Sequence, residues 1–249
     1  MKHKGAKTAE HPAAAEAMAD GAGHLHPLLR PKDAASLILI DRSGAEPAVL
    51  MGKRHRSHAF MPDTYVFPGG RRDRGDGRIP VADELHPAVV EKLLRKMANP
   101  MSAFRARALA IAAVRETQEE VGIVIGGNGR TSALPGWRAF GERGLAPKLS
   151  LLRFVARATT PPRQKRRFDT RFFACFRDEI DATEAVSSNE LLDPRWVGLS
   201  QIESLPMPRI TKAVIDDLSR ELKRDPFLPF GRPVPYYHAR YGRFTREIL

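Results

Sequence analysis

Apolar residues fall first in short runs broken by turn-forming residues, a pattern of strands rather than helices. "AASLILIDRSGAEPAVLMGKR" places one apolar run, Leu37 to Ile40, and a second, Ala48 to Met51, on either side of "DRSGAEP". That arrangement predicts two strands joined by a turn. "TYVFPGG" predicts a short strand ending at Pro68, Gly69 and Gly70, and glycines there allow a sharp turn and close approach of backbone to a ligand. Downstream, "LSLLRFVARATTPP" and "FDTRFFACFRD" are strand-like and flank the basic loop "PPRQKRR", and "DPRWVGLSQI" predicts one more short strand.

Helical spacing takes over in three segments. "HPAVVEKLLRKMA" has an amphipathic pattern. "SAFRARALAIAAVRETQEEVG" is rich in strong helix formers, with Ser102 placed as N-cap and Gly122 just past the end. "ITKAVIDDLSRELKRD" predicts a late helix. Strands and helices alternating at irregular intervals, with no internal repeat, predict an α+β or α/β sandwich.

Composition adds bounds to this picture. A chain of 249 residues, 42% hydrophobic, can bury a full core, so one domain from 31 to 249 is expected. Residues 1–30, biased to Ala, Gly and His, predict a disordered tail; His3, His11, His24 and His26 lie in it without the spacing of a metal site. No run approaches the ~18 apolar residues of a spanning helix, and the lysines at the start precede no apolar core, so no signal peptide or membrane partner is expected. The single cysteine, Cys175, rules out an internal disulfide, and its apolar setting "RFFACF" argues against catalysis. A cytoplasmic protein is the matching expectation.

With 41 Lys+Arg against 29 Asp+Glu, the net charge is +12, a balance that attracts anions without choosing among them. Against it, "VRETQEEVGI" (residues 114–123) gathers three glutamates and an arginine. At ~100° per helical residue, Glu119 lies ~60° to one side of Glu116 and Glu120 ~40° to the other. Carboxylates at i and i+4 repel by a few tenths of a kcal/mol. Spacing alone leaves two readings, a solvated face or a site for magnesium, which is commonly held by one or two carboxylates and substrate phosphates.

The "FPGG" at Phe67 to Gly70 and the "RETQEEVGI" at Arg115 to Ile123 together resemble the Nudix hydrolases. That family's signature is a glycine, five residues, a glutamate, seven residues, then R-E-U-x-E-E-x-G-U, with U a bulky aliphatic. Thr117 stands where an aliphatic is usual. Between Gly70 and Arg115 lie 44 residues where the signature has 13, and eight positions before Arg115, where the first glutamate belongs, stands Arg107. The interruption, with "RRFDTRFFACF" downstream, resembles the coenzyme A diphosphatase-like branch. Of that branch's coenzyme A motif, Arg54 is kept, while Ala59 and Asp63 replace a second arginine and a glycine.

The resemblance implies an α/β/α sandwich of Nudix type, with a mixed central sheet, flanking helices, a helical insertion over 71–100 and a C-terminal helical extension from about 200. It implies magnesium-dependent (or manganese-dependent) hydrolysis of a nucleoside diphosphate linked to another moiety, such as coenzyme A or acyl-CoA. Glu116, Glu119 and Glu120 would be metal ligands, Arg115 their orienter, and Glu190 the general base. Arg54, Phe67, Gly69, Gly70, Arg163 and Arg167 would contact substrate, with Lys165, Arg166 and Arg171 as further phosphate candidates. ADP-ribose, NADH or dinucleoside polyphosphates are alternative substrates, and a non-catalytic binding module is the alternative class. A binding module has no need of three repelling carboxylates, and no RNP-like strand or helix-turn-helix supports a nucleic-acid partner. The insertion is expected as a flap or lid beside the site, or as a dimer contact.

Overall fold

The computed structural model describes residues 27–55, 63–96, 102–180, 187–188, 190–240 and 243–249. The predicted tail therefore lies outside the described residues except at 27–30, where Leu28 and Leu29 are exposed.

The two apolar runs after the tail form β1 (Lys32–Asp41) and β2 (Ala48–Arg54), which pair antiparallel with Ile40 opposite Val49. β1 also pairs in parallel with β8 (Phe168–Phe176) along its length, from Lys32 opposite Phe168 to Ile40 opposite Phe176. Side chains alternate across a strand, so a central strand must be apolar on both sides. On β1, Ala35, Leu37 and Leu39 enter one core while Ile38 and Ile40 enter the other. Phe173 and Cys175 of β8 join the first, and Phe172, Ala174 and Phe176 the second. Cys175 is fully buried, and burial pushes its thiol well above the ordinary range, in keeping with an inert packing role.

The remaining strands are β3 (Tyr65–Val66), β4 (Gly69–Arg71), β5 (Gly126–Asn128), β6 (Leu145–Pro147), β7 (Arg153–Thr159), β9 (Leu191–Gly198), β10 (Pro235–Arg240) and β11 (Arg243–Ile248). The main sheet runs β11-β10-β7-β8-β1-β2-β3, with β4 on β1 and β9 on β2; β5 and β6 pair separately. On one face lie α1 (Pro87–Leu93), α2 (Ala103–Val121) and α3 (Arg138–Glu142); on the other lies α4 (Arg209–Arg224). This is the α+β sandwich of Nudix type that the motifs implied.

Two expectations change. The region after 200 carries one helix and then the β10–β11 hairpin, which extends the sheet in parallel from β7. It is not a helical extension throughout. Its strands, "PYYHAR" and "RFTREI", mix aromatic, polar and charged residues without a long apolar run, which suits the end of a sheet and hides the strand signal among arginines. The insertion, for its part, is no lid among the described residues. Ile79, Leu85, Val89 and Leu93 join Ala106, Leu109 and Ala110 in one core, so the segment thickens the helical layer beside α2.

Candidate active site

α2 begins where Ser102 Oγ accepts a hydrogen bond from the Arg105 N–H (3.3 Å) and ends at Gly122, which takes a left-handed φ of 74°. The caps set the helix's register, and register decides what its last turn presents. Glu116, Glu119 and Glu120 all line one cleft of about 360 Å³. Gly69 and Gly70 of β4 form its roof, Arg54, Glu190 and Leu191 one wall, and Arg166 and Phe168 line it as well. The two halves of the interrupted signature thus meet in space.

The meeting depends on glycine. β4 pairs with β1 at Ala35 opposite Gly70 and Ser36 opposite Gly69, and the Gly69 N–H donates to Glu120 Oε2 at 2.7 Å. A Cβ on Gly70 would sit 2.4 Å from the Glu116 carboxyl carbon, and one on Gly69 2.3 Å from Ser36 Oγ. At Gly69 the backbone of Ala35 and Ser36 also blocks a side chain, and at Gly70 a side chain would have to push the Glu116 carboxylate aside.

Arg115 ties the carboxylates down. Its guanidinium lies 2.9 Å from Glu116 Oε1 and 2.9 Å from Glu119 Oε2, donates to the Arg71 carbonyl at 3.0 Å, and reaches Asp76 Oδ1 at 3.1 Å. Burial opposes the charge on Arg115, but hydrogen bonding to Asp76 and the charges of Glu116, Asp76 and Glu119 outweigh it and raise its pKa. Asp76 is the acid that sequence reading missed. Counting back from Arg115 lands on Arg107, but passing over five residues (71–75) forward from Gly70 lands on Asp76. The insertion falls after that acid, so only the forward count keeps the spacing. Arg107 instead donates to Glu84 (2.8 Å) and to the carbonyls of Gly77 (2.8 Å) and Ile79 (2.9 Å), fastening the root of the insertion to the helix.

The cleft carries more negative charge than it neutralises. Burial pushes Glu116 up to about 7, with the Glu119 and Glu190 charges adding to it against Arg115. Burial likewise pushes Glu120 up to about 8, with Glu116 and Glu190 raising it and the Gly69 N–H and Arg54 opposing. Burial lowers the pKa of Arg54, which faces the charges of Glu120 and Glu190. Among the described residues no three acids already converge as a cation cage: Glu119 leans on Arg115 and Glu120 on Gly69. Magnesium needs only one or two carboxylates and keeps its waters. Glu116, Glu119 and Glu120, carboxylate oxygens brought onto one cleft, are of the donor type that fits that ion.

The other predicted contacts divide. Phe67 is buried in the core on the α4 side and does not line the cleft. Of the basic loop, Arg166 lines the cleft; Arg163 and Arg167 do not, and Arg167 turns to the Thr160 carbonyl (3.1 Å) and that of Leu29. Arg171 is fully buried between Asp169 (3.0 Å) and Asp33 (3.5 Å), so it is a structural cation. Among the described residues of the insertion, Arg71 and Asp73 reach the lining.

No protein-family model matches the chain, and no curated protein matches it. Among solved structures it is similar to a Nudix hydrolase from Alicyclobacillus acidocaldarius, at 28% identity over 77% of this chain and 92% of that one, with a TM-score of 0.57. It also matches the Nudix domain of Shewanella oneidensis NrtR in complex with ADP-ribose (12% identity, 78% and 90% coverage, TM-score 0.46). RenU, a Nudix hydrolase from M. smegmatis, matches at 19% identity, 78% and 86% coverage and a TM-score of 0.43. The fold assignment rests on the first of these.

Proposed function

We propose, for a chain that is a Nudix-type pyrophosphohydrolase by fold and by its carboxylate box, that it cleaves a nucleoside diphosphate linked to a second moiety, of the coenzyme A type. The observation that carries this reading is the convergence of Glu116, Glu119 and Glu120 with the Gly69–Gly70 turn in one cleft that also holds Arg54 and Arg166. A site for a charged diphosphate needs a place for a cation, donors for phosphate oxygens and a base for water, and each has residues to supply it.

Glu116, Glu119 and Glu120 would hold magnesium, which when bound neutralises phosphate oxygens and makes water a better nucleophile. Arg115 fixes the rotamers of Glu116 and Glu119. Arg54 supplies a charge-assisted donor to a phosphate oxygen. Glu190, exposed on the cleft wall with its backbone carbonyl bonded to the His55 N–H (3.2 Å), would accept the proton of the attacking water. Positioning and charge neutralisation are most of what phosphoryl-type displacement requires of a protein.

Gly70→Ala tests the roof. Its new methyl must displace the Glu116 carboxylate, and misplacement by about 1 Å costs on the order of a hundredfold in turnover. Circular dichroism should show an intact fold, and wild-type turnover in this variant would contradict the close approach.

Substrate choice is tested by assaying the purified protein with magnesium against coenzyme A, acyl-CoA, ADP-ribose, NADH, dinucleoside polyphosphates and nucleoside triphosphates. Coenzyme A should be cleaved faster than its 3′-dephospho form, because Arg166 offers a cation at the cleft rim. Arg166→Ala should reduce that preference by about tenfold, the effect of one charged hydrogen bond worth ~1.5 kcal/mol. Equal cleavage of the two forms, or cleavage of ADP-ribose or a dinucleotide alone, would move the assignment to those substrates.

A further inference from the structure

Phe168 is placed unlike the other phenylalanines of β8. Phe172, Phe173 and Phe176 are buried in the two cores, whereas Phe168, at the start of the strand, belongs to neither and is half-buried on the cleft lining. An aromatic ring outside both cores and on the lining of a cleft is available to a ligand.

Its backbone is held from two sides. The Phe168 N–H donates to Thr160 Oγ1 (3.1 Å), and the Thr160 N–H donates to the Phe168 carbonyl (2.9 Å). On the other side Lys32 of β1 stands opposite it, with the Lys32 N–H bonded to the Arg167 carbonyl (2.9 Å). A ring on a fixed backbone pays little entropy when something stacks on it. Arg166, also on the cleft lining, has no ion-pair partner among the described residues. Arg54, on the wall with Glu190 and Leu191, instead shares its charge with Glu120 and Glu190. The cleft therefore has one place with a π-face beside an uncommitted cation, and another with a cation already opposed by carboxylates.

We propose that Phe168 is the stacking platform for the substrate's nucleobase and that Arg166 takes the phosphate charge beside it, so that the nucleoside lies toward the start of β8 and the second moiety toward Arg54 and Leu191. This orientation rests on the reading of the cleft as a diphosphate site. Base stacking on an aromatic ring tolerates any base, because every base has a π-face, so Phe168 would favour nucleosides as a class.

The test is direct binding to the full chain of two probes, AMP and ribose 5-phosphate, by calorimetry in magnesium. They share the phosphate and ribose and differ only in the base. The wild-type protein should bind AMP about tenfold or more tightly than ribose 5-phosphate, as expected for one stacked base. Phe168→Leu should weaken AMP about tenfold and leave ribose 5-phosphate unchanged, while Phe168→Tyr restores AMP binding. A wild-type protein without preference for AMP overturns the proposal, and so does a Phe168→Leu variant that keeps AMP affinity or weakens both probes equally. The outcome separates from the functional reading, because diphosphate hydrolysis by the wild-type protein is scored independently: cleavage without an AMP preference removes only the platform, and no cleavage of any diphosphate removes the functional reading itself.

Discussion

Glu119→Gln and Glu120→Gln should each reduce magnesium-dependent diphosphate hydrolysis by more than a hundredfold while leaving the fold intact. The amide keeps nearly the shape of the carboxylate and removes its charge. Loss of a partner one shell out from a metal costs roughly 10–100-fold in affinity or activity, and a direct anionic ligand should cost at least that. The two positions should differ in stability. Glu120 is buried and accepts from the Gly69 N–H, and an amide oxygen can still accept there. Glu119 is exposed and held by Arg115, so its replacement frees part of that guanidinium. Turnover against magnesium concentration, with circular dichroism and a denaturant titration on each variant, reads both effects. Wild-type turnover at saturating magnesium in both variants would sink the metal assignment.

Arg115→Ala should be the most destabilising single change at the site, by about 3–5 kcal/mol, because it leaves the buried partner Asp76 uncompensated. The Arg115 and Asp76 side chains are 9% and 3% exposed, so water cannot replace the lost partner. Glu116 is half-buried beside Arg115, and without the cation its charge becomes costlier still. Asp76→Asn should cost less, since Arg115 keeps Glu116 and Glu119. Urea unfolding of the two single variants and the double variant measures the coupling. A loss below about 1 kcal/mol for Arg115→Ala, the size of a surface pair, would show that the cluster is not buried in solution.

Much of this architecture was legible in residue patterns because local rules and the tertiary fold agree. Ser102 and Gly122 bound the carboxylate helix as caps should, and the unbroken apolar runs of β1 and β8 reflect strands buried on both faces. Asp76 was illegible by the count from Arg115, since its role depends on which side of the insertion keeps its spacing. Within "RQKRR" no periodicity tells which cation faces the cleft; the turn decides, with Arg163 at a left-handed φ of 64° and Arg167 drawn to backbone carbonyls. The β10–β11 hairpin escaped for a related reason, as its arginines serve tertiary partners such as Asp217, which accepts from Arg246 at 2.9 Å.

The buried stretch of α2 ties the helix to the insertion beside it. From Ala106 to Val114 every residue except Arg107 is buried, because the sheet, the insertion and the Trp137–Phe140 segment cover it from different sides. A surface helix keeps a polar stripe, and one that is apolar all round must be enclosed. Without the insertion, this alanine-rich helix would present bare Leu109 and Ala110 to water; with it, a helix bearing an ordinary polar stripe would bury charges. The insertion and the apolar helix are thus interdependent, with Arg107 as the stitch between them, and deleting the insertion alone should yield an insoluble protein.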